Sequence, residues 1–312
     1  MTTSIAFLSR LERFPSVPST NDIVRAWLTE GTPEVCLAVA DEQTAGRGRS
    51  GRSWVAPGGA ALLLSLGFEP TYLEPDRLWR LGAIVALAMA DAAEEAAGLP
   101  AGVLKLKWPN DIVAESVGAG DSVADGVLKV AGVLGESEGV GTAGARAVVG
   151  IGVNVDWPRD RFPAELAGVM TSLREVARGR PIDSNALLDE FLLRLEPRYL
   201  ALRDGHFDVA GWHARQVTTG RAVQVELPDG SIELARAVGV DGASGALLVE
   251  DEYGAEREIL VGEITHVRLA STAGAGGRKA ASGAGAKARA GRGGPSPARA
   301  GADRGGGRGV TP

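Results

Sequence analysis

The sequence predicts an α+β protein in which helices back a sheet and a smaller β-barrel follows. Apolar runs at residues 35–40 and 60–68 are typical of buried strands. Residues 76–97 are rich in Ala and Leu and apolar almost all round, which favours a helix packed behind a sheet. From Thr219 onwards, short strand-like segments alternate with turns such as PDG and DGASG. That pattern is typical of a small, separate barrel.

Length and charge limit the class of protein. A chain of 312 residues can hold a main domain and a smaller one. The net charge is −6, but the segment from Ser271 to the end carries eight Lys or Arg against one acid, or +7, which leaves −13 for the rest. An acidic body argues against a general DNA-binding surface, because such affinity comes from neutralising phosphates. The Ala/Gly/Arg-rich tail lacks the apolar residues needed to fold alone.

Cysteine usage and hydropathy exclude other classes. The single cysteine, Cys36, rules out a disulfide framework or a cysteine-based zinc site, and its apolar surroundings predict a buried side chain. We find neither a signal-peptide pattern nor a long apolar stretch in the sequence. We therefore expect a cytoplasmic protein without membrane contact.

The loop DEQTAGRGRSGRSW, residues 41–54, lies between the two predicted strands. It interleaves three permanently charged arginines with three glycines that let a backbone approach a ligand: Arg47, Arg49, Arg52, Gly46, Gly48 and Gly51. We expect the loop to hang from the edge of the sheet and to close over an anion. A flexible linker and a nonspecific nucleic-acid contact are the alternatives.

Polar groups stand at the start of the first predicted helix. Ser19, Thr20 and Asn21 precede a segment that would carry Ile23, Val24, Trp27 and Leu28 on one face. They are either a helix cap or groups that point at a ligand.

Two further strand-like segments carry charged residues. In 103–113, leucines alternate with lysines until Pro109 ends the strand, and Asp111 is either part of an Asx turn or a carboxylate beside a ligand. In 127–137, alternation predicts Lys129, Ala131 and Val133 on one face, with Gly132 on the other. Lys129 is either solvent-facing or functional. Residues 114–126 between the two segments are predicted to be a long loop.

The last two segments of the main domain are a strand and a helix. In 145–157, glycines 150 and 152 and Asn154 indicate a ligand packed against the backbone. Residues 183–203 predict an amphipathic helix that is kinked or interrupted near Pro197.

Five short motifs occur in a fixed order ahead of the predicted barrel. They are PSTN (18–21), DEQTAGRGRSGRSW (41–54), KWPND (107–111), KVAGVL (129–134) and GIGVNV (150–155). In this combination, residues 15–270 resemble a bacterial biotin protein ligase. The resemblance implies a class II synthetase-like mixed sheet backed by helices, with a C-terminal SH3-like barrel.

The resemblance also implies a domain organisation. We expect a lead-in (1–14), a biotin- and ATP-binding catalytic domain (15–215), the SH3-like barrel (216–270) and a disordered tail (271–312). Because few residues precede Pro18, a helix-turn-helix domain has no room, which favours the monofunctional ligase over the ligase-repressor.

The implied reaction has two steps. Biotin and ATP give biotinyl-5′-AMP and pyrophosphate, and a lysine of a biotin carboxyl carrier domain of an acyl-CoA carboxylase then takes the biotin as an amide. Magnesium would bridge the ATP phosphates rather than occupy a protein cage. Two anions must be brought together, which explains the need for cationic side chains.

The resemblance implies a role for each position that matches the family motifs. The biotin-binding positions are Ser19, Thr20, Asn21, Gln43, Gly46, Arg47, Gly48, Arg49, Lys129 and Gly132. The ATP-binding positions are Arg49, Arg52, Trp54, Asn110, Lys129 and Asn154. The catalytic positions are Lys129, Arg49 and Asp111, with Asp111 beside the reacting centre.

Two departures from the family pattern are visible. Asp22 stands where Gln or Glu is more common, a change expected to have little effect on the assignment, and the loop before Lys129 is long.

We expect a monomer or weak homodimer with no specific DNA partner. The alternatives are a lipoate or octanoate ligase or transferase of the same superfamily, and a non-catalytic regulator that responds to biotin.

Overall fold

A computed structural model describes residues 7–115, 126–261 and 266–269. These residues fall within one compact unit, Met1–Gly274. The predicted disordered tail and most of the predicted long loop lie outside the described residues.

The main sheet has seven strands in the order β1-β2-β3-β7-β6-β5-β4. They are β1 (Arg10–Phe14), β2 (Cys36–Ala40), β3 (Ala61–Phe68), β4 (Leu104–Lys107), β5 (Asp111–Glu115), β6 (Val127–Glu138) and β7 (Arg146–Asn154). Strand β1 runs parallel to β2, and the other neighbours pair antiparallel. The sheet is therefore mixed, and the predicted fold class is confirmed.

Five α-helices occur in the described residues: α1 (Thr20–Thr29), α2 (Trp79–Ala96), α3 (Leu173–Val176), α4 (Ser184–Arg203) and α5 (Val209–Arg215). Helix α2 joins the strands in one apolar core, because its Ala and Leu residues are buried almost all round. Helix α4 buries Leu187, Phe191 and Leu195 in the same core. The predicted interruption of α4 is wrong, since the helix continues through Pro197.

Strand β1 was not predicted from the sequence. It lies in the lead-in 1–14, and its alternating exposure and charged residues are those of an edge strand and gave little sequence signal. The arginine loop joins the neighbouring antiparallel strands β2 and β3, so it leaves the sheet at the ends of these strands, as predicted.

The KWPND motif forms the turn between β4 and β5. Strand β4 ends at Lys107, residues 108–110 turn, and Asp111 begins β5 opposite Lys107. Asp111 is therefore a strand residue rather than part of a turn.

Strand β6 contains a β-bulge that corrects the predicted facing of Lys129. Opposite β5, Ile112 pairs with Ala131 while Val113 pairs with Lys129, so Val130 is the extra residue. The bulge moves Lys129 to the face of Gly132, where a Cβ built on the glycine would lie 2.8 Å from Lys129 Nζ. Ala131 and Val133 remain buried in the core.

A second, five-stranded antiparallel sheet follows in the order β11-β10-β9-β8-β12. Its strands are β8 (Ala222–Glu226), β9 (Ile232–Val240), β10 (Leu247–Glu250), β11 (Glu256–Ile259) and β12 (His266–Leu269). It corresponds to the predicted barrel segments.

The β9–β10 turn of this sheet docks on the main domain through three side chains. Trp79 Nε1 donates to the Ala243 carbonyl at 3.1 Å, and Arg80 donates to the Gly242 carbonyl at 3.0 Å. Trp108 Nε1, in the KWPND motif, donates to the Gly245 carbonyl at 2.9 Å. The second sheet thus supports the turn that carries Asp111.

Gly245→Ala should destabilise the protein more than Gly254→Ala. Both glycines have positive φ, 73° and 81°, so each substitution costs about 1–2 kcal/mol of backbone strain. A Cβ at Gly245 would also lie 2.6 Å from the Trp79 ring, whereas one at Gly254 meets nothing within 4 Å. Crowding adds about 1–3 kcal/mol at Gly245 alone. Urea unfolding measures both losses, and equal losses would contradict the docking of this turn on Trp79.

Candidate active site

A small polar cavity, called here the polar pocket, lies between α1, the arginine loop and the face of β6 and β7. Its volume is about 30 Å³, the space of about one or two water molecules. Its lining residues are Ser19, Thr20, Asn21, Gln43, Arg47, Trp54, Leu64, Gly132, Leu134, Gly150, Ile151 and Gly152.

Glycines form the floor of the polar pocket. A Cβ at Gly150 would lie 2.2 Å from Asn21 Oδ1, and one at Gly152 would lie 2.5 Å from the Trp54 ring. Contacts this short exclude any side chain, so the backbone itself faces the pocket. The two in-strand glycines were the sequence signal for this floor.

Trp54 fills much of the space above that floor. Its ring lies against Gly152 and within 3.2 Å of the Cβ position of Gly132. Its buried Nε1 has no hydrogen-bond partner within the described part of the chain. The indole occupies space that a ligand of biotin's size would need, so Trp54 must move when such a ligand enters.

The polar wall of the pocket comes from the start of α1. Ser19, Thr20 and Asn21 are all buried, and Ser19 stands at the N-cap position without a side-chain capping bond. The Thr20 amide donates to Gln43 Oε1 at 2.7 Å. The three residues are therefore more than a helix cap, because their side chains line a cavity.

Two acidic residues hold Arg47 at the rim of the pocket. Arg47 donates to both Asp22 oxygens, at 2.8 and 2.7 Å, and lies 3.4 Å from Glu136 Oε2. Arg25 also pairs with both acids, at 2.7 Å each. The hydrogen bond from Arg47 keeps the pKa of Asp22 below its usual value. Two cations and two carboxylates leave this rim with no net charge.

A cationic centre lies beside the pocket. Lys129 Nζ lies 2.7 Å from Asp111 Oδ1 and 5.3 Å from the centre of the Trp54 ring. Arg49 donates to the Val261 carbonyl at 2.9 Å. Burial lowers the pKa of Arg49, and the charge of Asp111 opposes that effect. The three residues predicted to be catalytic therefore lie close together, with Lys129 and Arg49 both near Asp111.

A second cavity, called here the tryptophan cavity, adjoins Asp111 on the side of the second sheet. Its volume is about 250 Å³. Its lining includes Arg49, Trp79, Ala83, Lys107, Trp108, Asn110, Asp111, Val133, Trp212, Gln216, Gly245 and Val261. Aromatic walls with cations near one end suit a flat ring that bears anionic groups. The sequence analysis did not assign Trp79, Trp108 or Trp212 to the site.

The side chains of the two asparagines predicted to bind ATP both donate hydrogen bonds to backbone carbonyls. Asn110 Nδ2 donates to the Val133 carbonyl at 2.7 Å, but the residue still lines the tryptophan cavity. Asn154 Nδ2 donates to the Thr171 carbonyl at 3.0 Å, and the residue is 4% exposed. Among the residues that the structure describes, Asn154 belongs to the lining of neither cavity.

The remaining predicted residues shape the arginine loop. The Trp54 amide donates to the Gly46 carbonyl at 2.9 Å, and the Gly48 amide donates to the Arg52 carbonyl at 2.7 Å. The loop is therefore a tight hairpin, with exposed Arg52 on its return arm. A Cβ at Gly46 would lie 2.6 Å from the Trp54 carbonyl oxygen, so only glycine fits there.

Three site residues escaped the sequence analysis. Ser65 and Glu136 hydrogen-bond to the polar wall, and Asp22, which was assigned no role in the site, accepts from Arg47. Ser65 had one signal, as a polar residue within the apolar run AALLLSLGF. Glu136 gave none, because an acid near a strand end is ordinarily solvated.

Three further observations concern the described residues outside these two cavities. A larger cavity of about 800 Å³ lies near the end of α2 and is lined by none of the predicted site residues. Within 7–115, 126–261 and 266–269, no cluster of three His, Cys, Asp or Glu side chains is placed to hold a metal ion. No helix in those ranges has both the length and the apolar character that a membrane crossing requires.

The fold and the site place a floor of bare backbone beside a cationic centre, an arrangement that suits a small ligand with an anionic end. Residues 13–154 match the Biotin/lipoate A/B protein ligase family, and residues 218–267 match the Biotin protein ligase C terminal domain.

Named relatives agree with this class. The biotin–[acetyl-CoA-carboxylase] ligase of Mycobacterium tuberculosis is 32% identical over 234 residues, which span 74% of this chain and 79% of the relative. The bifunctional ligase/repressor BirA of Bacillus subtilis is 30% identical over 241 residues, 77% of this chain and 69% of the relative. The chain belongs to the biotin protein ligase family, a family of ligases.

A solved structure matches the fold. The biotin protein ligase from Aquifex aeolicus, in complex with biotin and ATP, has a TM-score of 0.67 and 27% identity. The match covers 84% of this chain and 99% of that one.

Asp22→Ala should loosen the arginine loop. The substitution removes the paired oxygens that hold Arg47, an exposed ion pair of modest strength, so cleavage by trypsin after Arg47 should become about twofold to fivefold faster. Asp156→Ala is the matched control, because it removes a 3.0 Å pair with Arg174 elsewhere. Mass spectrometry of a limited digest measures both rates. Unchanged cleavage after Arg47 in Asp22→Ala would show that this pair does not restrain the loop.

Proposed function

We propose that this chain is a biotin protein ligase that activates biotin with ATP and transfers it to a carrier-domain lysine. The observation that supports this most strongly is the shared wall between the polar pocket and the cationic centre. Gly132 lines the pocket, and Lys129 Nζ lies 2.8 Å from its Cβ position and 2.7 Å from Asp111. A ligand seated in the pocket would reach Lys129 with its far end.

The pocket and the centre suit the two ends of biotin. The pocket offers a hydroxyl from Thr20 and amides from Asn21 and Gln43 at a rim of zero net charge, which suits an uncharged urea ring. The centre offers Lys129 to a carboxylate. The dithiolane of lipoate or the plain chain of octanoate would leave those polar groups unpaired, at a cost in affinity.

In the first step, a biotin carboxylate oxygen attacks the α-phosphorus of ATP. A bond forms between this oxygen and the α-phosphorus. The bond between the α-phosphorus and the oxygen that bridges to the β-phosphate breaks, and pyrophosphate leaves. Both reactants are anionic, so Lys129 and Arg49 would hold them together and stabilise the charge that builds up. Arg49 must first leave the Val261 carbonyl, to which it now donates.

ATP would lie along the tryptophan cavity. Asn110 and Arg49 line that cavity, Trp54 would pack near the nucleotide once it leaves the glycine floor, and Arg52 would reach the phosphates. Asn154 would act through the Thr171 backbone that it holds. Magnesium would arrive with the ATP phosphates and neutralise part of their charge rather than occupy a protein cage.

In the second step, the amine of a carrier lysine attacks the biotinyl carbonyl, an amide forms and AMP leaves. Asp111 would take the proton from the incoming ammonium. The acceptor class is supported by the relatives from Mycobacterium tuberculosis and Paracoccus denitrificans, both of which are named biotin–[acetyl-CoA-carboxylase] ligases. We assign residues 15–215 to catalysis and 216–270 to support of the KWPND turn, in a cytoplasmic monomer or weak homodimer without specific DNA binding.

Lys129→Ala should lower biotin-dependent ATP–pyrophosphate exchange about 10²- to 10³-fold, because it removes the cation aimed at the reacting oxygens. Lys105→Ala is the control, since Lys105 lies on β4 of the same sheet and outside the linings of both cavities. Circular dichroism checks that both variants fold. Full exchange in folded Lys129→Ala would contradict the catalytic assignment, and wild-type exchange with lipoate in place of biotin would favour the alternative substrate.

A further inference from the structure

A chain of hydrogen bonds runs behind the polar pocket through two residues that do not line it. Thr20 Oγ1 lies 2.6 Å from Ser65 Oγ, and Ser65 Oγ lies 2.6 Å from Asn21 Oδ1. Asn21 Nδ2 lies 2.7 Å from Glu136 Oε2. Ser65 is fully buried in the middle of β3, and Glu136 lies on β6. Three separate elements therefore meet at the Asn21 amide.

The chemistry of these groups fixes the direction of every bond in the chain. A carboxylate only accepts, so the Asn21 NH₂ group must face Glu136 and its carbonyl must face Ser65. That carbonyl also only accepts, so the single Ser65 hydrogen must point to Asn21. Ser65 then has only lone pairs for Thr20. The Thr20 hydroxyl therefore donates to Ser65 at 2.6 Å rather than to Gln43 Oε1, which lies further away at 3.1 Å and already accepts from the Thr20 amide.

The direction decides what the pocket presents to a ligand. Thr20 has turned its hydrogen inward and shows only oxygen lone pairs, while Asn21 keeps one N–H beyond the one given to Glu136. A lone pair suits a urea N–H, and an N–H suits a urea carbonyl. If Thr20 turned its hydrogen outward, two donors would face each other.

We propose that Ser65 and Glu136 are positioning residues that set the donor and acceptor directions of Thr20 and Asn21 for a cyclic urea. The inference rests on the proposed function, since it assigns the biotin ring to the polar pocket. Neither residue touches the ligand, so both act through Asn21 and Thr20. Glu136 also accepts from Arg25 at 2.7 Å, which holds its carboxylate in place.

Ser65→Ala removes the acceptor for Thr20 and the donor to Asn21. We expect the KM for biotin in ATP–pyrophosphate exchange to rise about tenfold, the cost of about one misdirected hydrogen bond. The KM for ATP and kcat should stay within about twofold, because Lys129 and Arg49 are untouched. In an Asn21→Ala background, the Ser65→Ala effect should shrink below about threefold, because without the Asn21 carbonyl the Ser65 hydrogen is no longer directed and imposes no direction on Thr20. If Ser65 had only a structural role, Ser65→Ala would raise the KM for biotin by the same factor with and without Asn21→Ala.

Glu136→Met provides a second test that does not depend on the folding of Ser65→Ala, because the Glu136 side chain is only partly buried, at 30% exposure. It should also raise the KM for biotin about tenfold and lose most of that effect in the Asn21→Ala background. Glu138→Met is the matched control: Glu138 lies two residues further along β6 and pairs with Arg146. Wild-type protein inactive with biotin would overturn the proposed function and this inference together. An active wild type with an unchanged biotin KM in Glu136→Met or folded Ser65→Ala would overturn this inference alone.

Discussion

The extra residue in β6 determines which side of the sheet carries the chemistry. Without the bulge at Val130, strict alternation would place Lys129 on the core side with Ala131 and Val133, where a charged amine would be costly to bury. With it, Lys129 shares a face with Gly132 and meets Asp111 across the strand pair. The bulge thus joins a cation to the bare backbone on which a ligand can lie.

Charge is divided along that face. At the α1 end, two arginines and two acids cancel and surround the polar pocket. At the β5 end, Lys129 and Arg49 lie near Asp111. For the proposed substrate, this division favours the orientation in which the neutral ring lies at the α1 end and the anionic tail lies beside Lys129.

The sequence predicted which segments lie at the candidate site, but it did not predict the contacts between those segments. The glycines at 150 and 152 and the arginine loop gave signals that depend on local chemistry, and the structure brings them together. Strand β1, the bulge at Val130 and the continuous α4 depend on partners distant in the chain. The same holds for Ser65 and Glu136, whose roles appear only when α1, β3 and β6 meet. Local patterns cannot encode which partner a polar side chain will find.

The docking of the second sheet has a spectroscopic consequence. Three of the six tryptophans, Trp79, Trp108 and Trp212, line one cavity at the junction with the β9–β10 turn, and the Trp79 and Trp212 rings lie 4.6 Å apart. A fourth, Trp54, lies over the glycine floor. Four of the six tryptophans therefore lie at the two cavities, although Trp108 and Trp212 also belong to the apolar core. Entry of a ligand into either cavity is expected to change the intrinsic emission of the folded protein.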